Sequence, residues 1–169
     1  MEPKIFQTER LTLKPVSIDD VELIYRLYNE PKFIEFIGDR NIRTLEAAEK
    51  FITEKFLPHI KQFGFGNYVI IRKSDGEKLG TVGVFGREGL DVHDIGFALL
   101  PAFEGEGYAF EAANRLFEAA FSEFGLKKIS AITTHGNFRS QKLIEILGLK
   151  FIKTVRLPGD DEELRYYEI

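Results

Sequence analysis

The chain has 169 residues, 44% hydrophobic and 30% charged, with a formal net charge of −4, and its length suits one domain over 1–169 with its own core. The acidic balance argues against nucleic acid as partner and is compatible with a cationic substrate such as an amine; with no signal-like or membrane-length apolar run, no membrane partner is expected and a cytoplasmic location is. The absence of Cys excludes disulfides, thiolate metal sites and cysteine nucleophiles, and His59, His93 and His135 lack ligand spacing, so no metal is expected.

Residues Arg10 to Val16 alternate as a half-buried strand. Ser17-Ile18-Asp19-Asp20 is a capping-box start for a helix to about Asn29, which Pro31 ends. Residues 32–43 carry Phe33, Phe36 and Ile37 without clean period and read as a loop or short helical turn. Thr44 caps a second helix through about Gln62, with Ala47, Phe51, Ile52 and Phe56 on one face. A hairpin follows, Asn67 to Lys73 and Lys78 to Phe85 around Ser74-Asp75-Gly76-Glu77, and then a strand from about Val92 to Leu100.

The run Phe103-Glu104-Gly105-Glu106-Gly107-Tyr108-Ala109 joins that strand to a helix patterned from Ala109 to Phe124. Two glycines at a strand-to-helix turn leave backbone N–H groups bare at the positive end of a helix, a seat for phosphate. The loop is neither a dinucleotide fingerprint, because Phe110 stands where the third glycine falls, nor a Walker loop, because no Gly-Lys-Ser/Thr follows. The plain alternative is a helix start whose acidic residues complement the dipole. Beyond it come a strand from Lys128 to Thr134, a helix from about Asn137 to Leu147 stopped by Gly148, and closing strands Phe151 to Leu157 and Leu164 to Ile169. The order is βααβββαβαββ, an α/β domain with a mixed sheet of about seven strands and about four helices.

Four pieces in this order resemble the GNAT acyl-CoA N-acetyltransferases, and among them the RimJ/RimL type. They are Thr8-Glu9-Arg10-Leu11-Thr12-Leu13, Asp94-Ile95-Gly96-Phe97-Ala98-Leu99, Gly105-Glu106-Gly107-Tyr108-Ala109-Phe110-Glu111-Ala112, and Asn137-Phe138-Arg139-Ser140 with Leu147-Gly148-Leu149. The resemblance implies acetyl transfer from acetyl-CoA to a primary amine by direct attack in a ternary complex. The acceptor is then a protein N-terminal amine or a small amine.

The resemblance also implies roles. Backbone N–H groups of Glu104, Gly105, Glu106, Gly107, Tyr108 and Ala109 hold the CoA pyrophosphate. Phe97, Ala98 and Leu99 offer backbone bonds to pantetheine and to the acetyl carbonyl, and Asn137 bonds the pantetheine arm. Arg139 and Lys142 either approach the nucleotide phosphates or face solvent. Asp94 removes the acceptor proton through water, or is simply a hydrogen-bonded carboxylate at a strand entrance. Ser140 protonates the departing thiolate, or only satisfies the first helical turn; many relatives have a tyrosine four residues further on, where this chain has Ile144. The segment from Phe33 to Arg43 and the closing hairpin flank the acceptor groove. Phe33 and Phe36 form an apolar wall or belong to the core, Glu35 attracts a cationic acceptor or is an exposed loop glutamate, and Asp160 to Glu163 add an acidic rim or only face water. Glu104 and Glu106 place two carboxylates beside a pyrophosphate, which weakens binding unless both point outward. They keep a second reading open, a non-catalytic acyl-CoA-binding or sensing domain of the same fold. The chain leaves its oligomeric state open, a homodimer included.

Overall fold

The computed structural model describes residues 3–169. Eight strands form one sheet: β1 (Phe6–Gln7), β2 (Leu11–Pro15), β3 (Asn67–Arg72), β4 (Lys78–Phe85), β5 (Asp94–Leu99), β6 (Ser130–Thr134), β7 (Lys150–Val155) and β8 (Leu164–Glu168). Their spatial order is β1-β2-β3-β4-β5-β6-β8-β7. Every neighbouring pair is antiparallel except β5 and β6, which run parallel and keep register at Asp94↔Ser130 alone. Beyond that pair the two strands part, and the sheet opens between them.

The helices are α1 (Val21–Tyr28), α2 (Pro31–Phe36), α3 (Leu45–Phe51), α4 (Leu57–Phe63), α5 (Tyr108–Ser122) and α6 (Phe138–Leu147). The Ser17 capping box forms as its sequence predicts, with the Ser17 side chain accepting from the Asp19 N–H and Asp20 accepting from the Ser17 N–H. Its first turn, Ile18–Asp20, is 3₁₀ before α1 begins. Thr44 accepts the Ala47 N–H at 3.0 Å and caps α3. Gly148, at φ 107°, stops α6.

Three features differ from the sequence expectation. β1 is two residues long, too short to show a period. Pro31 does more than end α1: it opens α2, where a first-turn proline lacks only an N–H that would have no partner. The helix expected over 44–62 widens into a π turn at Ile52–Phe56, just before Pro58, so α3 and α4 are one bent helix. A proline inside a helix removes one bond and crowds the preceding turn, and the wider turn makes room for it.

Two apolar cores sandwich the sheet. One lies under α5 and α6, with Leu116, Ala112, Ala119 and Ile144 packed on Leu13, Ile70, Val82 and Ile95. The other lies under α1 to α4 and holds Leu23, Ile24, Leu27, Phe33, Ile52 and Phe56 against Val69 and Leu100. The opening between β5 and β6 therefore has helices over both faces.

Candidate active site

A cleft of 1420 Å³ runs through this opening. It exceeds the roughly 300–1,000 Å³ of a typical small-molecule pocket, so it has room for two ligands side by side. Its walls come from α2 and the loop after it, β5, the glycine loop, β6, the start of α6 and the β7–β8 turn.

The glycine loop is the cleft's phosphate-sized end. Gly105 and Gly107 have φ of 82° and 81°, a left-handed conformation natural to glycine. No atom lies within 4 Å of where a Gly105 Cβ would stand, so the loop surface is open. Gly107 is the N-cap of α5 and no side chain caps that end. The first-turn N–H groups of Tyr108, Ala109 and Phe110 thus have no helical partner, and the positive end of the helix faces the cleft.

A partly buried brace from the turn between β1 and β2 holds this loop. Thr8 Oγ1 and the Arg10 N–H both donate to Glu111 Oε2, at 2.6 and 3.0 Å, and Arg10 Nε donates to Glu111 Oε1 at 2.7 Å. Arg10 Nη1 also donates to the Glu106 carbonyl at 3.0 Å, and the guanidinium lies 4.3 Å from the centre of the Tyr108 ring. Burial pushes the Glu111 carboxyl up, but the hydrogen bonds from Thr8 and Arg10 outweigh it and hold the group below the usual carboxylate range. Sequence reasoning quoted both Thr8-Glu9-Arg10 and Glu111 without giving either a task. Their shared signal was only a motif on each side of the sheet.

The middle of the cleft is lined by unpaired backbone. The Leu100 N–H bonds the Leu79 carbonyl at 2.9 Å, and Leu99 lies opposite Gly80. Antiparallel bonding alternates, so Ala98 exchanges its bonds with Thr81 on β4, whereas Phe97 and Leu99 turn their N–H and C=O groups toward the opening. Ala98, expected to offer backbone bonds, lines the cleft without a free backbone group directed there. On β6 the Ile169 N–H to Ile129 carbonyl bond, 3.1 Å, sets the same alternation and directs the Ile132 groups into the gap. Ile132 was not foreseen, because splay between two strands leaves no mark in a hydrophobic pattern.

Asp94 stands where β5 and β6 still touch. It is 1% exposed, and its Oδ2 accepts from Arg87 Nε at 2.9 Å. Burial pushes its carboxyl up to about 6, with the Arg87 charge and hydrogen bond pulling the other way. Its Oδ1 is buried without a hydrogen-bond partner among the described residues, as is Thr134 Oγ1 on the opposite strand. Asn137 Oδ1 accepts the Ser140 N–H at 3.3 Å and so caps α6, leaving its amide nitrogen without a protein partner. The half-buried Ser140 hydroxyl makes no hydrogen bond among the described residues and lines the cleft. Ile144, one turn on, is buried in the core. His59 also lines the cleft but is fully occupied, bonded to the Phe65 carbonyl at 2.9 Å and accepting the Gly86 N–H at 3.2 Å. Burial lowers its pKa, and with its lone pair taken it is poorly placed to accept a proton.

The two glutamates of the loop behave differently from each other. Glu104 Oε2 is bridged by Lys32 Nζ at 3.0 Å and Arg139 Nη1 at 2.8 Å, so its charge is met by two cations. Arg139 therefore faces the cleft, as does Lys142. Glu106 is exposed and does not line the cleft; only its carbonyl is fixed. At the other end Phe33 and Phe36 line the wall, Phe33 being stacked on Tyr28 with ring centres 4.2 Å apart. Glu35, a candidate for the acceptor groove, does not line the cleft: it sits exposed on α2, the short helical option for this segment. Asp160 and Glu162 line the rim, whereas Asp161 and Glu163 do not. Among the described residues no group of three or more acidic or histidine side chains could hold a metal, and no helix is long and apolar enough to cross a membrane.

The family model described as an acetyltransferase (GNAT) domain matches residues 10–150. The chain is 32% identical over 152 residues to the uncharacterized protein YkkB of Bacillus subtilis, covering 88% of this chain and 87% of that one. It is 24% identical over 147 residues to the uncharacterized N-acetyltransferase YoaA of the same organism, covering 86% and 82%. Among solved structures, spermidine N-acetyltransferase from Vibrio cholerae, in complex with CoA and spermine, superposes with a TM-score of 0.79 at 17% identity, over 96% of each chain.

Proposed function

Because the chain belongs to the GNAT acetyltransferase family, we propose that it is a cytoplasmic N-acetyltransferase of the RimJ/RimL type, a single domain over 1–169 that moves an acetyl group from acetyl-CoA to a primary amine within a ternary complex. The observation that carries this reading is the continuity of one cleft. Bare helix N–H groups at the glycine loop, free strand backbone at Phe97 and Leu99, and the unpartnered Ser140 hydroxyl and Asp94 Oδ1 all line it. A long ligand with a phosphate end, an amide-bearing arm and a reactive end matches that series.

Acetyl-CoA supplies an activated thioester whose carbonyl carbon takes the amine nitrogen and whose sulfur leaves as the thiol. The N–H groups from Gly105 to Ala109 hold the pyrophosphate, with Arg139 exchanging Glu104 for a phosphate oxygen. Phe97, Leu99 and Ile132 pair with the pantetheine amides, and a β5 N–H donates to the acetyl oxygen as it gains charge, often the largest catalytic contribution. Asp94 Oδ1 takes the ammonium proton, directly or through one water, and a carboxyl near 6 is suited to do so at neutral pH. Ser140 gives its proton to the departing sulfur and takes back the second proton that the nitrogen loses as the intermediate collapses to the amide.

The second reading, an acyl-CoA-binding domain without turnover, drew on the two loop glutamates. The Glu106 side chain lies outside the cleft, and Lys32 stays on Glu104 when Arg139 turns to a phosphate, which weakens the part of that reading carried by the glutamates; the absence of a tyrosine at Ile144 is its other support. The deciding experiment is thiol release from acetyl-CoA across a panel of amines, with wild-type protein and Ser140→Ala. Amine-dependent release that falls roughly a hundredfold in kcat in the variant supports the assignment. Stoichiometric acetyl-CoA binding without release from any amine favours the binding domain, and unchanged release in the variant removes Ser140 from the reaction.

A further inference from the structure

Arg40 is the feature of the cleft that acetyl transfer leaves without a task. It follows α2 and lines the acceptor end together with Tyr28, Phe33, Phe36 and Arg87. The Tyr28 hydroxyl lies within the fields of both Arg40 and Arg87, and no carboxylate acts on it. Arg87 is paired with Asp94, so of these two guanidiniums Arg40 is the one without an ion pair among the described residues.

Two of the carboxylates nearest that end of the cleft are already in ion pairs. Asp39 pairs with Arg43, Asp94 takes Arg87, and Glu35 lies off the cleft. Arg40 has no carboxylate partner among the described residues, and neither has Lys55, a further cation on the cleft wall. The remaining acids of the acceptor end are Glu30, at the start of α2, and Asp160 and Glu162, on the β7–β8 turn.

The Arg40 side chain lies back over its own loop. A Cβ at Gly38, whose φ is 128°, would stand 2.7 Å from Arg40 Nη1, so the side chain folds back over a position that only glycine leaves open. The loop beneath it is tied down. Asn29 Nδ2 donates to the Tyr25 and Ile42 carbonyls, both at 2.7 Å, and Asp39 Oδ1 accepts the Asn41 N–H at 2.9 Å. A guanidinium without an ion pair on a cleft wall is a fork for a carboxylate, whereas a polycation meets like charge there.

We propose that the acceptor is an amino acid or similar amino-carboxylate, whose carboxylate is bound by Arg40 beside the Tyr28 hydroxyl while its amine lies toward Asp94. This rests on the acetyltransferase reading above and names its substrate class. The apolar surface of Phe33 and Phe36 then takes the acceptor side chain, which favours an apolar or aromatic one.

The test uses N-acetylphenylalanine and N-acetylphenylalaninamide, the same shape with and without one negative charge, titrated by calorimetry into the CoA-loaded protein. The acid is expected to bind at least tenfold tighter than the amide, Arg40→Gln to erase that ratio, and Arg40→Lys to keep part of it. Arg40 is exposed, so both variants are expected to melt with the wild type. Equal, reversed or undetectable binding of the acid overturns the inference, as does an undiminished ratio in Arg40→Gln. Thiol release with phenylalanine, phenylalaninamide and spermidine tests the enzyme reading separately. Absence of release from all three sinks that reading while the binding ratio still decides the carboxylate, and preference for spermidine overturns the carboxylate alone.

Discussion

Asp94 and Arg87 form a pair in which one partner is buried and the other reaches solvent, with side-chain exposures of 1% and 24%. Burial favours the neutral carboxyl and the guanidinium favours the carboxylate, and burial wins, leaving the group titrating near 6. If Asp94 is the base, kcat/KM rises with pH through a limb near 6. Removing the cation in Arg87→Met takes away the force that lowers this pKa, so the limb moves to higher pH by about one unit. A pH profile of both proteins checks this. A limb unmoved by the substitution, or moved to lower pH, separates Asp94 from the reaction. The carboxylate was legible as a candidate because of its place in a motif. Arg87 was not, since six residues of irregular chain lie between them in sequence and only the fold closes the gap.

The Thr8–Arg10–Glu111 brace works between elements, linking the loop before β2 to the first turn of α5. Removing the Glu111 carboxylate leaves the Thr8 hydroxyl, the Arg10 N–H and the Arg10 side chain without their shared acceptor. A charge-assisted group of this kind is worth about 2 kcal/mol, and in a chain of this size each kcal/mol corresponds to about 2–4 °C of melting temperature. Glu111→Ala is therefore expected to lower Tm by several degrees and to weaken acetyl-CoA binding, because the same arginine fixes the Glu106 carbonyl. Glu106→Gln, altering an exposed side chain outside the cleft, is expected to change neither. Thermal unfolding and calorimetry on the two variants separate the brace from general loss of acid. Folded Glu111 has a pKa below its unfolded value, so its contribution is present at neutral pH and disappears as pH falls through the folded pKa.

Across the whole molecule, the order of elements was readable because amphipathic helices and alternating strands have different periods, and caps at Ser17, Thr44 and Gly148 marked their ends. What could not be read came from long-range geometry. The parting of β5 from β6 depends on a parallel pair held at one register point, and the Lys32–Glu104–Arg139 bridge joins residues 35 and more positions apart. The place of Glu35 was illegible for a local reason, since a six-residue helix opened by Pro31 gives too few turns to show a period. The glycine loop and the β5 edge, by contrast, were both named from sequence, and they fall on one cleft. The central claim is that acetyl-CoA lies along that cleft, with its phosphates at the loop and its arm in the opened sheet. Two-dimensional amide NMR during an acetyl-CoA titration tests it directly. The largest shifts are expected on Gly105, Gly107, Tyr108 and Ala109 and on Phe97, Leu99 and Ile132, with Ala98 affected less. Shifts confined to other surfaces, or none at saturating acetyl-CoA, would contradict it.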